Sequence, residues 1–239
     1  MFITTFRTKL LKKEKASEDT WKFFFEHPSN FSYEAGQYIK LFLNIKKPDS
    51  RGKTRYFTLS SSPSEKYLLI TTRILKSTFK LKLGDIKLCT SVKMRGPWGD
   101  FILSGSSSKP LVFMAGGIGM TPFRSMIKFA AESKLDFKIT MLASYKTHDQ
   151  ILFKEELDKI SKNNPSIKII TTVTQPENSK WRGEKGRIDE KFIKKHIDNY
   201  SKCRYYICGP EAFVSGMEKI VKAMGIAPKN ILKEDFSGY

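Results

Sequence analysis

The chain has 239 residues, 40% of them hydrophobic, and a formal net charge of +19. That length supports one large core or two modest ones, and no apolar run approaches the roughly 18 residues of a membrane span. The first residues, Met1-Phe2-Ile3-Thr4-Thr5-Phe6-Arg7, lack the apolar run of a secretory leader, so a cytoplasmic location is expected.

Cys89, Cys203 and Cys208 are too few for a disulfide framework or a four-cysteine iron–sulfur cluster. His27, His148 and His196 lie far apart, so no metal centre is expected. The positive charge is spread along both halves of the chain. It reads either as attraction for an acidic partner, weakening with salt, or as solvated lysine faces.

The first hundred residues read as strands. Trp21–Phe25, Tyr38–Leu43, Phe57–Ser61 and Tyr67–Ile74 are aromatic, β-branched or alternating. Turn signals separate them at Glu34-Ala35-Gly36, Pro48-Asp49-Ser50-Arg51-Gly52 and Gly84-Asp85. Short strands at this spacing predict an antiparallel barrel. The polar stretch Leu103-Ser104-Gly105-Ser106-Ser107-Ser108-Lys109-Pro110 reads as a linker.

The pattern then alternates. Leu111–Ala115 is a continuous apolar run, as in a buried parallel strand. Helices are predicted over Pro122–Ser133, Leu152–Ser161, Asp189–Ile197 and Glu211–Met224, with strands at Phe137–Leu142, Ile167–Thr174 and Arg204–Cys208. Such alternation predicts a doubly wound parallel sheet.

Four short segments fall in order along these elements. Arg55-Tyr56-Phe57-Thr58-Leu59-Ser60-Ser61 sets a phosphate-binding guanidinium beside aromatic rings and hydroxyls. Residues 55, 57, 59 and 61 share one strand face, and 56, 58 and 60 the other. Gly96-Pro97-Trp98-Gly99 reads as a structural turn. In Ala115-Gly116-Gly117-Ile118-Gly119-Met120-Thr121-Pro122 a strand ends and a helix begins near Pro122, with glycines allowing close backbone approach. A helix N-terminus after a parallel strand is a natural dinucleotide phosphate site. This one is neither a P-loop nor a GxGxxG turn. Cys208-Gly209-Pro210 ends another buried strand with a thiol, where an inert packed cysteine is the plain alternative.

The first segment resembles the flavin motif R-x-[YF]-[ST]-x-x-S of the ferredoxin–NADP reductase family. That family's GPxGxF, GGxGxTP and CGP motifs follow in order at Gly96–Phe101, Gly116–Pro122 and Cys208–Pro210. The resemblance implies that Arg55 binds the FAD pyrophosphate, Phe57 stacks on the flavin ring and Thr58 approaches flavin N5, with Tyr56 on the same cofactor-binding strand. Many members have tyrosine at position 57; phenylalanine keeps the stacking and loses the phenolic hydrogen bond. Thr71, Thr72, Ser77 and Thr78 match the second FAD segment without its usual glycines. Gly117, Gly119, Thr121 and Pro122 would cradle the dinucleotide, with Thr121 towards the nicotinamide half. Lys146 suits a 2′-phosphate and hence NADPH, whereas Asp149–Leu157 looks like the NADH-using branches; both coenzymes stay open. Cys208 would lie beside nicotinamide C4, bordered by Gly209 and Pro210. Glu234 is the family's C-terminal acid, and Phe236 or Tyr239 its flavin-covering aromatic. Trp181-Arg182-Gly183 matches a structural loop.

The expectation is therefore an FAD-binding barrel domain over residues 1–104 and an NAD(P)-binding α/β domain over 109–239. The reaction implied is hydride transfer from NADH or NADPH to FAD, positioned by Thr58, Cys208 and Glu234, with electrons passing to a separate acceptor. An acidic ferredoxin, flavodoxin or oxygenase component suits the charge. Free flavin, ferric complexes and quinone are alternatives. From other classes, a basic nucleic-acid-binding protein would explain the charge but not the motif order, and a regulatory subunit would keep the fold without hydride transfer.

Overall fold

The computed structural model describes residues 2–103, 109–176 and 181–236. Residues 104–108 of the expected linker, and Tyr239, lie outside the described residues. The chain divides into two units, one of Met1–Leu103 with Arg124–Phe129, the other of Ser104–Phe123 with Ala130–Tyr239.

In the first unit, β1 (Thr4–Lys15), β2 (Thr20–Glu26), β3 (Tyr38–Phe42), β4 (Thr54–Thr58), β5 (Tyr67–Arg73) and β6 (Ser91–Trp98) form one antiparallel sheet in the order β4-β3-β6-β1-β2-β5. The two end strands meet through an isolated bridge between Leu59 and Ile70, which nearly closes the barrel. Alternation drives the closure. Phe23, Phe25, Ile39, Leu41, Phe57, Leu68, Ile70, Val92 and Met94 form one buried cluster, while their sequence neighbours mostly face outward.

Two expectations change here. Thr78-Phe79-Lys80-Leu81-Lys82-Leu83 alternates in sequence, yet it forms a helix, α1 (Thr78–Asp85), and Gly84-Asp85 is its last turn rather than a strand connection. Ser77 caps it by accepting the Lys80 N–H, and Phe79, Lys80 and Leu83 are its buried residues. Local capping thus overrides the period-2 pattern. Gly96-Pro97-Trp98 is likewise no turn but the end of β6, where Trp98 pairs with Tyr38.

The second unit is a parallel sheet of β7 (Leu111–Gly116), β8 (Ile139–Tyr145), β9 (Ile167–Val173), β10 (Glu184–Lys185), β11 (Arg204–Gly209) and β12 (Ile231–Asp235), in the order β10-β9-β8-β7-β11-β12. β7 is buried at all six positions, as a strand covered on both faces must be. α2 (Met120–Glu132), α3 (Lys154–Asn163), α4 (Glu190–His196) and α5 (Glu211–Ala223) alternate with the strands. Phe192 and Ile193 of α4 and Val214, Met217 and Val221 of α5 pack with Val112, Met114, Leu142 and Ile170. On the other face, Phe123 of α2 stacks on Phe113 with ring centroids 4.8 Å apart. β12 escapes the sequence pattern because its five residues are short and mixed in polarity. Among the described residues no helix is long and apolar enough to cross a membrane.

Candidate functional site

In the first unit the expected flavin residues gather around β4, β5 and the start of α1. Arg55 and Phe57 lie opposite Leu41 and Ile39, on the inward face of β4. The Arg55 guanidinium rests over the Phe79 ring, 5.1 Å from its centroid. Its Nη2 donates to both Asp49 carboxylate oxygens, at 2.6 and 2.9 Å, and its Nη1 to the carbonyls of Arg51, Gly52 and Thr54. Hydrogen bonds from Arg55, against a smaller desolvation penalty, hold the Asp49 carboxyl below its usual range. The sequence reading missed this pair, because nothing in Pro48-Asp49-Ser50 distinguishes a guanidinium partner from an ordinary turn aspartate.

Ser77 is spent on capping α1, and Thr78 Oγ1 accepts the Asp49 N–H at 3.0 Å. Thr71 and Thr72 sit buried on β5. Tyr56 is separated from this group: it projects from the outward face of β4, 56% exposed, edge-on to Tyr38 and Trp98. Thr58 is buried opposite Tyr38.

The segment after β4 is held by a buried network. Arg124 donates to the Ser60 carbonyl at 2.7 Å and to both Glu65 oxygens, at 2.7 and 3.1 Å. Ser125 Oγ donates to the Ser61 carbonyl at 2.5 Å, and Glu65 accepts the Ser62 N–H and the Tyr67 hydroxyl. Burial alone would raise the Glu65 pKa; hydrogen bonding and charge from Arg124 outweigh it and lower it. The sequence signal for this residue was available: Arg124 is a charge set among the apolar Phe123, Met126 and Ile127 of a helix.

Among the described residues of this unit, three buried side-chain polar atoms have no partner: Arg55 Nε, Ser60 Oγ and Thr71 Oγ1. Native proteins rarely leave such atoms unsatisfied without a ligand or functional cause. They lie on β4, on β5 and in the connection between them, where the flavin motif falls. The residues present therefore fit a polar, phosphate-bearing cofactor.

In the second unit the candidate residues meet at the carboxyl ends of β7 and β11. The sheet order reverses between these neighbours, which is where open α/β sheets bind ligands. Gly117 adopts a φ of +52°, and the chain turns through Ile118 and Gly119 into α2. A Cβ on Gly119 would stand 2.3 Å from the Cys208 carbonyl oxygen and 2.6 Å from Gly209 Cα, so only glycine allows this approach. Thr121 is buried and its Oγ1 donates to the Ile118 carbonyl at 3.1 Å, while Pro122 occupies the first turn of α2. That turn holds no acidic residue, which leaves its N–H groups suited to an anion.

Cys208 is fully buried and lies directly across from Glu234 in the pairing of β11 with β12. Burial, then the nearby Glu234 and Asp235, pushes the thiol well above its ordinary range, so it is a neutral thiol rather than a nucleophile. Burial, then Asp235, pushes Glu234 up to about 7, and its Oε2 has no partner. The Phe236 N–H donates to the Gly209 carbonyl at 3.0 Å, and Pro210 precedes α5 as its N-cap residue. Gly119, Cys208, Gly209, Glu234 and Phe236 thus form one cluster. Lys146 stands apart, exposed just beyond β8.

Comparison with known proteins follows the same division. Residues 7–102 match the model of an oxidoreductase FAD-binding domain, and residues 113–219 that of an oxidoreductase NAD-binding domain. The chain is 29% identical over 240 residues to a flavohemoprotein of Bacillus subtilis (strain 168), covering 95% of this chain and 58% of that protein. It is 24% identical to the glycine betaine monooxygenase reductase subunit of Chromohalobacter salexigens, covering 93% and 62%. The chain thus spans less than two thirds of these curated relatives. The flavohem-like FAD/NAD binding domain of the Vibrio cholerae nitric oxide dioxygenase superposes with a TM-score of 0.82 at 20% identity, over 96% of this chain and 98% of that one. A ferredoxin NADP+ reductase of Neisseria gonorrhoeae, solved with FAD and NADP, gives 0.81 at 16% identity, over 97% and 98%. At these identities the likeness speaks for the fold.

Proposed function

We propose, for a chain that belongs to the ferredoxin–NADP reductase-like family, with an FAD-binding domain followed by an NAD-binding domain, that it transfers hydride from a nicotinamide dinucleotide to FAD and passes the electrons to a separate acceptor. Bound FAD would supply the redox chemistry, accepting the hydride and releasing electrons onward. The chain's own residues bind, align and exclude water.

The observation that carries this reading is the cluster of Gly119, Cys208, Gly209 and Glu234 at the switch point of the parallel sheet. Glycines admit the dinucleotide backbone, the neutral thiol packs at the reacting end, and the half-buried Glu234 holds a proton or a hydrogen bond there. In the first unit Arg55 would turn from Asp49 towards the pyrophosphate, with Thr71, Thr72, Ser77 and Thr78 as polar neighbours, Phe57 against the ring and Thr58 near N5. NADH is favoured over NADPH, since Asp149–Leu157 resembles the NADH-using branches of the family. The three free cysteines suit a reducing cytoplasm.

Anaerobic titration of the FAD-supplied protein with NADH tests the reading. Bleaching of a flavin spectrum is expected. A protein that takes up no FAD overturns it, and rates with NADPH set the coenzyme.

For the acceptor we favour an acidic electron-carrier protein. The strands β3, β4 and β6 contain no Asp or Glu. On their outward face Lys40 stands opposite Arg95, and Arg7 of β1 opposite Lys93. Such like-charged cross-strand pairs oppose sheet stability. Lys40, Lys93 and Arg95 instead rest on the rings of Tyr56, Phe42 and Trp98. This cationic, aromatic face shares β4 with the flavin motif, which supports a redox partner over a nucleic acid. Turnover with an acidic [2Fe–2S] ferredoxin should fall steeply with salt while ferricyanide turnover does not. Salt-insensitive ferredoxin turnover, or salt-dependent retention of an oligonucleotide on a filter, would reverse the preference.

A further inference from the structure

Lys80 is the third residue of α1 and is only 5% exposed. Its Nζ donates to Thr72 Oγ1 on β5 and lies over the ring of Phe57 on β4, 4.8 Å from the centroid. The Phe57 ring is 6.0 Å from that of Phe79, which carries Arg55 on its face. One ammonium therefore touches two residues assigned to the flavin, on the two strands that end the six-strand order. Neither the flavin motif nor the second FAD segment called for a lysine here.

A buried ammonium is costly to the fold. Loss of hydration, then repulsion from Arg51 and Arg55, pulls its pKa down to about 7. An aliphatic side chain at the third position of a short capped helix would pack against Phe57 and Leu83 without that cost. A strongly perturbed group held at this expense beside a candidate cofactor site is a candidate for function.

We propose that Lys80 sets the reduction potential of the bound flavin through its seat on Phe57 and Thr72. The inference rests on the flavin reading of β4. A hydride delivered to the flavin adds two electrons and one proton to the ring system. A cation held in a poorly solvated place behind Phe57 stabilises the added negative charge more strongly than a solvated one does. Thr72 fixes where that cation stands, and a flavin ring held against Phe57 would feel its field. Lys80 is thus a tuning residue; it exchanges no proton with the substrate.

The test is the flavin midpoint potential of the FAD-loaded protein at pH 6, where a group with a pKa of about 7 is mostly charged, measured by spectroelectrochemistry for wild type, Lys80→Met and Lys80→Arg. Lys80→Met should still bind FAD, with its reduction equilibrium about tenfold less favourable, which is about 30 mV for a two-electron couple. Lys80→Arg should stay near the wild-type potential, because the charge is kept. If methionine does not give a folded protein, Lys80→Gln against Lys80→Arg makes the same comparison. An FAD-loaded Met or Gln variant with the wild-type potential overturns the tuning role and leaves the flavin reading intact. A wild-type protein that binds no FAD overturns both.

Discussion

In the first unit the candidate site is built from charged side chains. Arg55 is locked to Asp49, Arg124 to Glu65, and Lys80 rests on Phe57 and Thr72. In the second unit the candidate site is built from missing side chains: Gly117 and Gly119 at the turn after β7, and Gly209 at the end of β11. The first unit thus pre-pays electrostatic order by holding its cations in place before a cofactor arrives. The second unit offers backbone N–H groups and space. A phosphate reaching the first must displace or join an existing partner, whereas one reaching the second meets open helix geometry.

If the first unit does depend on paired buried charge, Arg124→Met will show it most strongly. Removing one partner of a buried pair costs about 3–5 kcal/mol, because Glu65 loses its nearer counter-charge and keeps the longer ion pair to Lys128, at 3.8 Å. Urea unfolding reads this, and adding Glu65→Gln to the same protein should recover part of the loss. A cost below about 1 kcal/mol would place the pair with ordinary surface bridges.

Gly119→Ala is the corresponding probe of the second unit. Its Cβ would collide with the Cys208 carbonyl and Gly209 Cα, which is backbone and cannot swing away. An overpacking cost of about 1–3 kcal/mol is expected, together with loss of NADH binding by calorimetry. Unchanged NADH affinity would show that the dinucleotide does not use this turn.

Glu234 gives the most selective effect, confined to one pH window. Its pKa is raised to about 7 by burial, then Asp235, whereas the unfolded carboxyl titrates near 4.3. Between these values the native protein holds a proton that the unfolded chain has released. The stability from this group is present below about pH 4.3 and is lost as pH rises towards 7. Glu234→Gln should flatten that part of the pH–stability curve. A curve of the same shape in wild type and variant would assign the slope to other groups.

Much of the second unit was legible in the sequence. β7 and β11 are largely apolar strands that end in glycine, β9 is rich in β-branched residues, and each predicted helix begins within two residues of its observed start. Phe153 shows the limit: it takes a left-handed φ of +58°, which delays α3 to Lys154. In the first unit β2, β3 and β5 were readable, β4 was placed three residues late, and β1 and β6, whose Lys and Arg residues face outward, went unread; α1 was also missed, since Phe79, Leu81 and Leu83 mimic a strand although Leu81 is exposed. Partner identity was harder still. Arg55 was singled out by its motif, but its engagement by Asp49, six residues away, is a property of the folded turn. Cys208 was singled out by its motif, while its apposition to Glu234 needed β12, whose short sequence carries no strand signal of its own.

Residues 124–129 cluster with the first unit although residues up to 123 cluster with the second. A gene fragment ending at Leu103 would encode all six strands of the barrel yet omit the guanidinium that neutralises Glu65 and the hydroxyl that ties down the Ser61 carbonyl. The barrel is therefore not a portable cassette. Recombination, truncation or domain shuffling at the serine-rich stretch would hand each product an incomplete polar interior, and a viable exchange must carry Arg124 and Ser125 with the strands they serve.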